Sequence, residues 1–188
     1  MSEPAKKHDQ IPESYSPKEM PEILVIAEKM TASLKTGGRL AWPIVGKGSF
    51  RVIGRRRVTP SGGGTWDVCR ADGSLRRMEE LQPGQPFLGL CFGFGKDGGN
   101  DYMVGIVSDG GDVPGLESFT YPASRWMIFE AEGKISDNVL GNAWKSVYKR
   151  YLPKSGYKQS ALPTMESYVV WEDDRDYCRI EIHIPIEK

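Results

Sequence analysis

The stretch ISDNVLGNAWKSVYKRYLPKSGYKQSALPTMESYVVWEDDRDYCRIEIHIPIEK, residues 135–188, decides the fold of this chain. Its first part carries apolar residues every three or four positions, which predicts an amphipathic helix ending near Pro153 and Gly156. PTMESYVVW and CRIEIHIPI then predict two strands around the acidic loop EDDRD. The preceding stretch, FTYPASRWMIFEAEG, predicts the strand that completes a strand–helix–strand–strand unit.

The same order of elements occurs earlier in the chain. SFRVIGRRRV predicts a strand, TWDVCRADGSLRRMEEL a helix weakened at DGS, and PFLGLCFGF and DYMVGIVSD two strands. Trp66 and Trp144, like Phe87 and Thr164, lie at equivalent places about 77 residues apart, which indicates an internal duplication. We therefore predict an α+β fold in which two βαββ units form one antiparallel sheet with two helices on one face. A concave ligand groove is expected on the other face.

Composition excludes several classes of protein. The 188 residues carry 25 basic and 25 acidic side chains, so no direct nucleic-acid binding is expected. The sequence has no secretory start and no apolar run of membrane-spanning length, which predicts a cytoplasmic protein without a membrane partner. Three cysteines and two histidines lack the spacing of a disulfide framework or metal site, so neither a metal nor a cofactor is expected.

The chain divides into two parts by composition. Residues 1–45 are interpreted as a polar tail and N-terminal extension, and residues 46–188 as the duplicated domain. A short helix over residues 20–35 is one expectation for the extension. A strand is the alternative, because the periodicity of ILVI does not distinguish the two.

Each of the last two predicted strands contains a glutamate, Glu166 in the first and Glu181 in the second. Alternation places Glu181 and His183 opposite the isoleucines of the last strand, and those isoleucines must lie under the helices. In the preceding strand, alternation places Glu166 and Tyr168 on one face and Trp171 on the other. It does not decide which of these two faces the helices cover.

Burying an unpaired carboxylate under a helix would be costly, so we assign Glu166 and Tyr168 to the groove. A carboxylate between aromatic rings would suit a flat, hydrophobic and often cationic small molecule. A solvated sheet face with polar residues remains the alternative for these positions. Trp66 and Trp144 fall on the apolar helix stripes, which favours core positions for both.

The C-terminal motifs resemble those of GyrI-like domains, also called the AraC-type effector-binding domain. The matching elements are Trp144, YLPKSGY at 151–157, the P-x-x-E-x-Y of Pro163, Glu166 and Tyr168, and the terminal E-x-x-I-P of Glu181 and Pro185. The resemblance implies a duplicated βαββ fold with a drug-binding groove. It also implies that Glu166 binds a cationic drug, with Tyr168 and Trp144 as wall residues.

The resemblance implies several functions. The candidate ligand-binding residues are Glu166, Tyr168, Glu181, Trp144, Tyr102 and His183. The first hypothesis is a stand-alone module that binds aromatic or cationic small molecules, such as a drug or toxin. The alternative is a hydrolase that detoxifies cyclopropane-bearing DNA-alkylating compounds, with Glu166 activating water.

Two further readings concern other partners. A gyrase-inhibitor-like or regulatory module would bind a protein partner, as yet unknown, through the cluster at Arg55 and the loop from Glu172 to Asp176. Haem binding could use only His183 as an axial ligand. Because no DNA-binding domain is recognised before the module, a one-component regulator is disfavoured.

Overall fold

The computed structural model describes residues 26–33 and 39–188, with side chains described from Ile44 onward. The strands are β1 Ile26–Ser33, β2 Arg39–Lys47, β3 Phe50–Thr59, β4 Phe87–Phe94, β5 Asn100–Val107, β6 Glu117–Tyr121, β7 Ser124–Gly133, β8 Lys158–Gln159, β9 Thr164–Glu172 and β10 Tyr177–Glu187. The helices are α1 Gly62–Ala71, α2 Ser74–Leu81, α3 Val139–Ser146 and α4 Leu152–Ser155; a π-helical turn, Val147–Tyr151, joins the last two. No described helix is long and apolar enough to cross a membrane.

The described strands form one antiparallel sheet in the order β1-β2-β7-β10-β9-β4-β5-β3-β6, with the short β8 pairing to β10. The two central strands, β4 and β9, pair directly. On one side of them lie β5 and β3, and on the other β10 and β7, so the second βαββ unit mirrors the first. The α+β fold and the internal duplication predicted from the sequence are confirmed.

The helices pack on one face of this sheet. α1 lies on β3 and β5, and α3 lies on β7. Beneath α1 and α2 is a cluster containing Ile53, Cys69, Met78 and Val104. The α3 side has its own cluster, which contains Met127, Val147, Ile182 and Ile184. The central strands β4 and β9 are left between the two groups of helices.

The helix-free face is filled by a third core cluster. Large side chains from both halves of the strand order meet there, among them Phe50, Leu90, Tyr121 and Trp126. Because the sheet is curled, side chains from distant strands meet across its concave face and fill the space there. The groove predicted on this face therefore lies elsewhere, between the helices and above β4 and β9.

The N-terminal extension contributes strands to the sheet. Ile26–Ser33 is β1, which pairs antiparallel with β2, and β2 pairs with β7. The short helix expected over 20–35 is therefore wrong for Ile26–Ser33, and the strand alternative holds there. Backbone pairing of this segment with β2 outweighs its weak helical pattern. Residues 20–25 and 34–35 of that expectation lie outside the described residues, as do residues 1–19 of the polar tail and extension.

Candidate functional site

A cleft of about 1200 Å³ lies between α1 and α3, with β4 and β9 as its floor. Its aromatic lining consists of Trp66, Phe87, Phe94, Tyr102, Trp144, Tyr148, Tyr168 and Trp171. Its charged lining consists of Asp67, Arg70, Glu79, Glu166 and Arg179. Rings from both helices and both central strands therefore surround the buried carboxylate of Glu166.

Three donors hold the Glu166 carboxylate, which is only 8% exposed. The indole N–H of Trp144 donates to Oε1 at 2.6 Å. The hydroxyl of Tyr168 donates to Oε2 at 2.9 Å, and the hydroxyl of Tyr102 donates to the same oxygen. Hydrogen bonds to a charged acceptor are stronger than neutral ones, so these donors offset much of the cost of burying the charge.

Gly89 makes this constellation sterically feasible. It pairs with Glu166 across the two central strands. A Cβ atom at this position would lie 1.7 Å from the hydroxyl oxygen of Tyr102 and 3.0 Å from Oε2 of Glu166. Only glycine lets the Tyr102 side chain reach from β5 over β4 to the carboxylate.

Both tyrosines remain neutral hydrogen-bond donors. Burial, reinforced by the nearby charge of Glu166, raises the pKa of Tyr102 well above its ordinary value. Burial and the same charge also raise the pKa of Tyr168 well above its ordinary value. The donors therefore stabilise the carboxylate through hydrogen bonds without adding a positive charge to the cleft.

The aromatic walls pack on this cluster. Trp66 meets Tyr168 edge-on with ring centroids 4.7 Å apart, and it contacts Phe87 at 5.9 Å. Trp144 stacks on Tyr148 at 5.6 Å with nearly parallel rings. Trp66 and Trp144 do lie on the apolar stripes of their helices, but these stripes border the gap between the helices as well as the core. Both indoles are therefore half-buried wall residues.

Glu181 and His183 lie on the opposite face of the sheet, away from the cleft. His183 Nε2 lies 2.9 Å from Glu181 Oε2, and Lys47 Nζ lies 3.0 Å from His183 Nδ1. All three side chains are buried. The structure thus brings Glu166, Tyr168, Trp144 and Tyr102 together, and separates Glu181 and His183 from them.

The pairing of β9 with β10 explains this separation. Glu166 pairs with Ile182, so the carboxylate shares a face with the isoleucines that lie under the helices. The assignment of Glu166 and Glu181 to one helix-free groove is therefore wrong. The cost of burying Glu166 on the helix face is offset by its three donors, which alternation within a single strand could not reveal.

Lys47, His183 and Glu181 form the Lys47 cluster, in which the positive and negative charges balance. Burial lowers the pKa of Lys47 to about 8, although Glu181 opposes this. Burial and the charge of Lys47 lower the pKa of His183 to about 4. Burial acts to raise the pKa of Glu181, but His183 and Lys47 outweigh it and leave that pKa below its ordinary value. A neutral His183, with its Nε2–H donating to Glu181, thus bridges an ammonium and a carboxylate.

Sequence reasoning missed five aromatic residues that line the cleft: Trp66, Phe87, Phe94, Tyr148 and Trp171. Trp66 had a signal in the repeat, because it is the counterpart of Trp144. Phe94 had none, because its counterpart Trp171 was itself assigned to the other face. Lys47, the partner of His183, was also missed. It lies just after the N-terminal extension, where no sequence pattern indicated such a partner.

Comparison with known proteins agrees with this architecture. SAV2435 bound to tetraphenylphosphonium superposes with a TM-score of 0.66 at 20% identity, covering 79% of this chain and 94% of that one. A putative transcription regulation protein from Staphylococcus aureus MU50 gives 0.59 at 18% identity, covering 78% and 98%. EcmrR, solved in complex with DNA, gives 0.57 at 16% identity, covering 91% and 60%. None of the curated proteins matches this chain.

At these identities the solved structures show a shared fold and no more. The sequence pattern of the GyrI-like small molecule binding domain, in contrast, matches residues 43–187. That range contains the whole cleft, including Glu166 and its three donors. The chain therefore belongs to the GyrI-like small-molecule-binding domain family.

Proposed function

We propose that the cleft binds an aromatic, positively charged small molecule, with the cationic centre of the ligand next to Glu166. The observation that carries this proposal is a buried carboxylate, held by three uncharged donors, inside a cleft with aromatic walls. Because none of the donors is cationic, the negative charge of Glu166 is not cancelled by them. It attracts a cation more strongly in this partly desolvated setting than it would in water.

The aromatic walls supply the remaining binding energy. Each ring face that a cation contacts contributes about 0.5–2 kcal/mol, and Trp is the strongest of the aromatic side chains in this respect. Trp66 and Trp144 border the cleft from opposite helices, so a flat or multi-ring cation can contact both. SAV2435, which shares the fold, is bound to tetraphenylphosphonium, an aromatic cation.

The hydrogen bonds of Glu166 favour binding over hydrolysis. A general base must accept a proton from water, and protein donors already occupy three of the roughly four acceptor sites of this carboxylate. The same donors orient the carboxylate and hold it rigidly, which suits recognition of a fixed charge. We therefore propose a binding domain in preference to a detoxifying enzyme.

Isothermal titration calorimetry with tetraphenylphosphonium tests the proposal. We expect Glu166→Gln to weaken binding by about tenfold, because it removes the charge and keeps the shape. Glu79→Gln is the matched control, since it removes an equal charge from the exposed rim of the same cleft and should leave the affinity within about twofold. Circular dichroism establishes that both variants are folded.

Neutral triphenylphosphine oxide provides the complementary control. The proposal predicts that this molecule, which carries similar rings without a net charge, binds more weakly than the phosphonium ion. Equal binding of the two compounds, or an unchanged affinity in a folded Glu166→Gln variant, would contradict the proposed role of the carboxylate.

A further inference from the structure

We propose that the cleft is a two-ended groove whose ligand carries a central cation and an aromatic group on each side, one against Phe94 and one against Trp171. This inference rests on the proposed function, because it takes the cation to lie next to Glu166. It adds the shape of the ligand and the two residues that select it.

The positions of these residues follow the internal symmetry of the fold. Gly89 and Glu166 pair at the centre of the groove. Phe94 is five residues beyond Gly89 in β4, and Trp171 is five residues beyond Glu166 in β9. Because β4 and β9 are antiparallel, the strand rise places the two aromatic residues about 15 Å from the centre in opposite directions.

Two β-bulges turn these side chains toward the cleft. The pairing of β4 with β5 shifts between Cys91 and Gly93. In β9, Tyr168 pairs with Ile180 but Val170 pairs with Arg179, which leaves Val169 as the extra residue. An extra residue reverses the alternation of side chains along a strand.

The consequence for Trp171 is direct. Simple alternation places it on the face opposite Glu166, and the bulge brings it onto the cleft face instead. Phe94 is turned in the same way by the bulge in β4. Equivalent bulges in both units, each delivering one ring to the same groove, indicate a feature of the site.

Exposure supports a role in contact with a ligand. Phe94 is 74% exposed and Trp171 is 40% exposed. Among the residues with described side chains, the exposed aromatic ones are Phe94, Tyr148 and Trp171, and all three line the cleft. Exposed rings at the two ends of a groove gain contact area when a ligand covers them.

The structure also gives Trp171 a fixed position. Its indole N–H donates to Asp173 Oδ1 at 3.0 Å, and its ring lies 5.7 Å from that of Tyr168. Tyr168 in turn contacts Trp66, so rings run continuously from the end of the groove to the centre. A ligand arm that follows these rings reaches Trp171 from Glu166.

Two synthetic cations test the inference by calorimetry below their micellar concentrations. One is a dimethylammonium that carries two identical alkyl chains, each ending in a naphthyl ring. The other is a trimethylammonium with one such chain. We expect the two-armed cation to bind about tenfold more tightly, and Phe94→Ala or Trp171→Ala to reduce its affinity to about that of the one-armed cation. Val58→Ala is the control, because Val58 is 68% exposed and lies outside the cleft.

Equal binding of the two cations by the unaltered protein would overturn the inference. So would an effect of only one of the two aromatic substitutions, or binding of tetraphenylphosphonium alone. If tetraphenylphosphonium and both synthetic cations all fail to bind, the proposed function fails together with the inference, so the two failures are distinguishable.

Discussion

The two faces of the sheet each bury a carboxylate, and they treat it in opposite ways. On the helix side, Glu166 accepts hydrogen bonds from two phenols and an indole, and it borders an open cleft. On the other side, Glu181 is joined through His183 to Lys47, beside the closed core. Uncharged donors leave a negative charge available to a ligand, whereas the ammonium of Lys47 compensates it within the protein.

The role of a buried carboxylate therefore depends on the charge of its hydrogen-bonding partners. Both glutamates are 8% exposed, so burial does not distinguish them. Glu181 lies beside an internal cation, and we interpret the cluster as structural because Lys47 joins β2 to the rest of the sheet. Glu166 has no such cation among its hydrogen-bonding partners, and we propose that a cationic ligand in the cleft takes that place.

The largest loss of folding stability is expected from Lys47→Met. Removing one partner of a buried charged group leaves the other uncompensated and costs about 3–5 kcal/mol. Urea unfolding should therefore show a large loss of stability, while the folded fraction keeps its affinity for tetraphenylphosphonium. A variant as stable as the unaltered protein would show that the Lys47 cluster does not have the structural role assigned to it.

A smaller loss of stability is expected when one hydrogen-bond donor is removed. It should be greater for a donor to a charged acceptor than for a donor to a neutral one. Tyr102→Phe removes a donor to the Glu166 carboxylate and should cost about 2 kcal/mol, since bonds to charged groups are the stronger ones. The matched variant Tyr121→Phe removes a bond to the backbone carbonyl of Pro163, 3.1 Å long, and should cost about 1 kcal/mol. Tyr102→Phe should also weaken cation binding, and Tyr121→Phe should not. If the two variants lose equal stability and keep equal affinities for the cation, Tyr102 has no special role as a donor to a charged acceptor.

A further loss of stability is expected in acid. The pKa of His183 is about 4 in the folded protein and lies below its ordinary value of 6.5, so the unfolded chain takes up the proton first. Stability should therefore fall as the pH drops from 6.5 to 4, and His183→Gln should reduce this slope. Thermal unfolding at several pH values measures it. A slope unchanged by His183→Gln would place the acid sensitivity elsewhere.

The duplicated fold could be predicted from the sequence, because Trp66 and Trp144, and Phe87 and Thr164, repeat at a nearly constant spacing. The C-terminal motifs, including the P-x-x-E-x-Y that contains Glu166, likewise indicated the family. The face of Glu166 could not be predicted, since it depends on the register of β9 against β10. Trp171 was placed on the wrong face because a single bulged residue has no signature in the alternation pattern.

The most direct test of the central claim is a crystal structure of this chain with tetraphenylphosphonium. We expect the phosphonium ion to lie between α1 and α3, next to Glu166 and in contact with Trp66 and Trp144. A cation bound on the opposite face beside Glu181, or a cleft that stays free of the ion while it binds elsewhere, would contradict it.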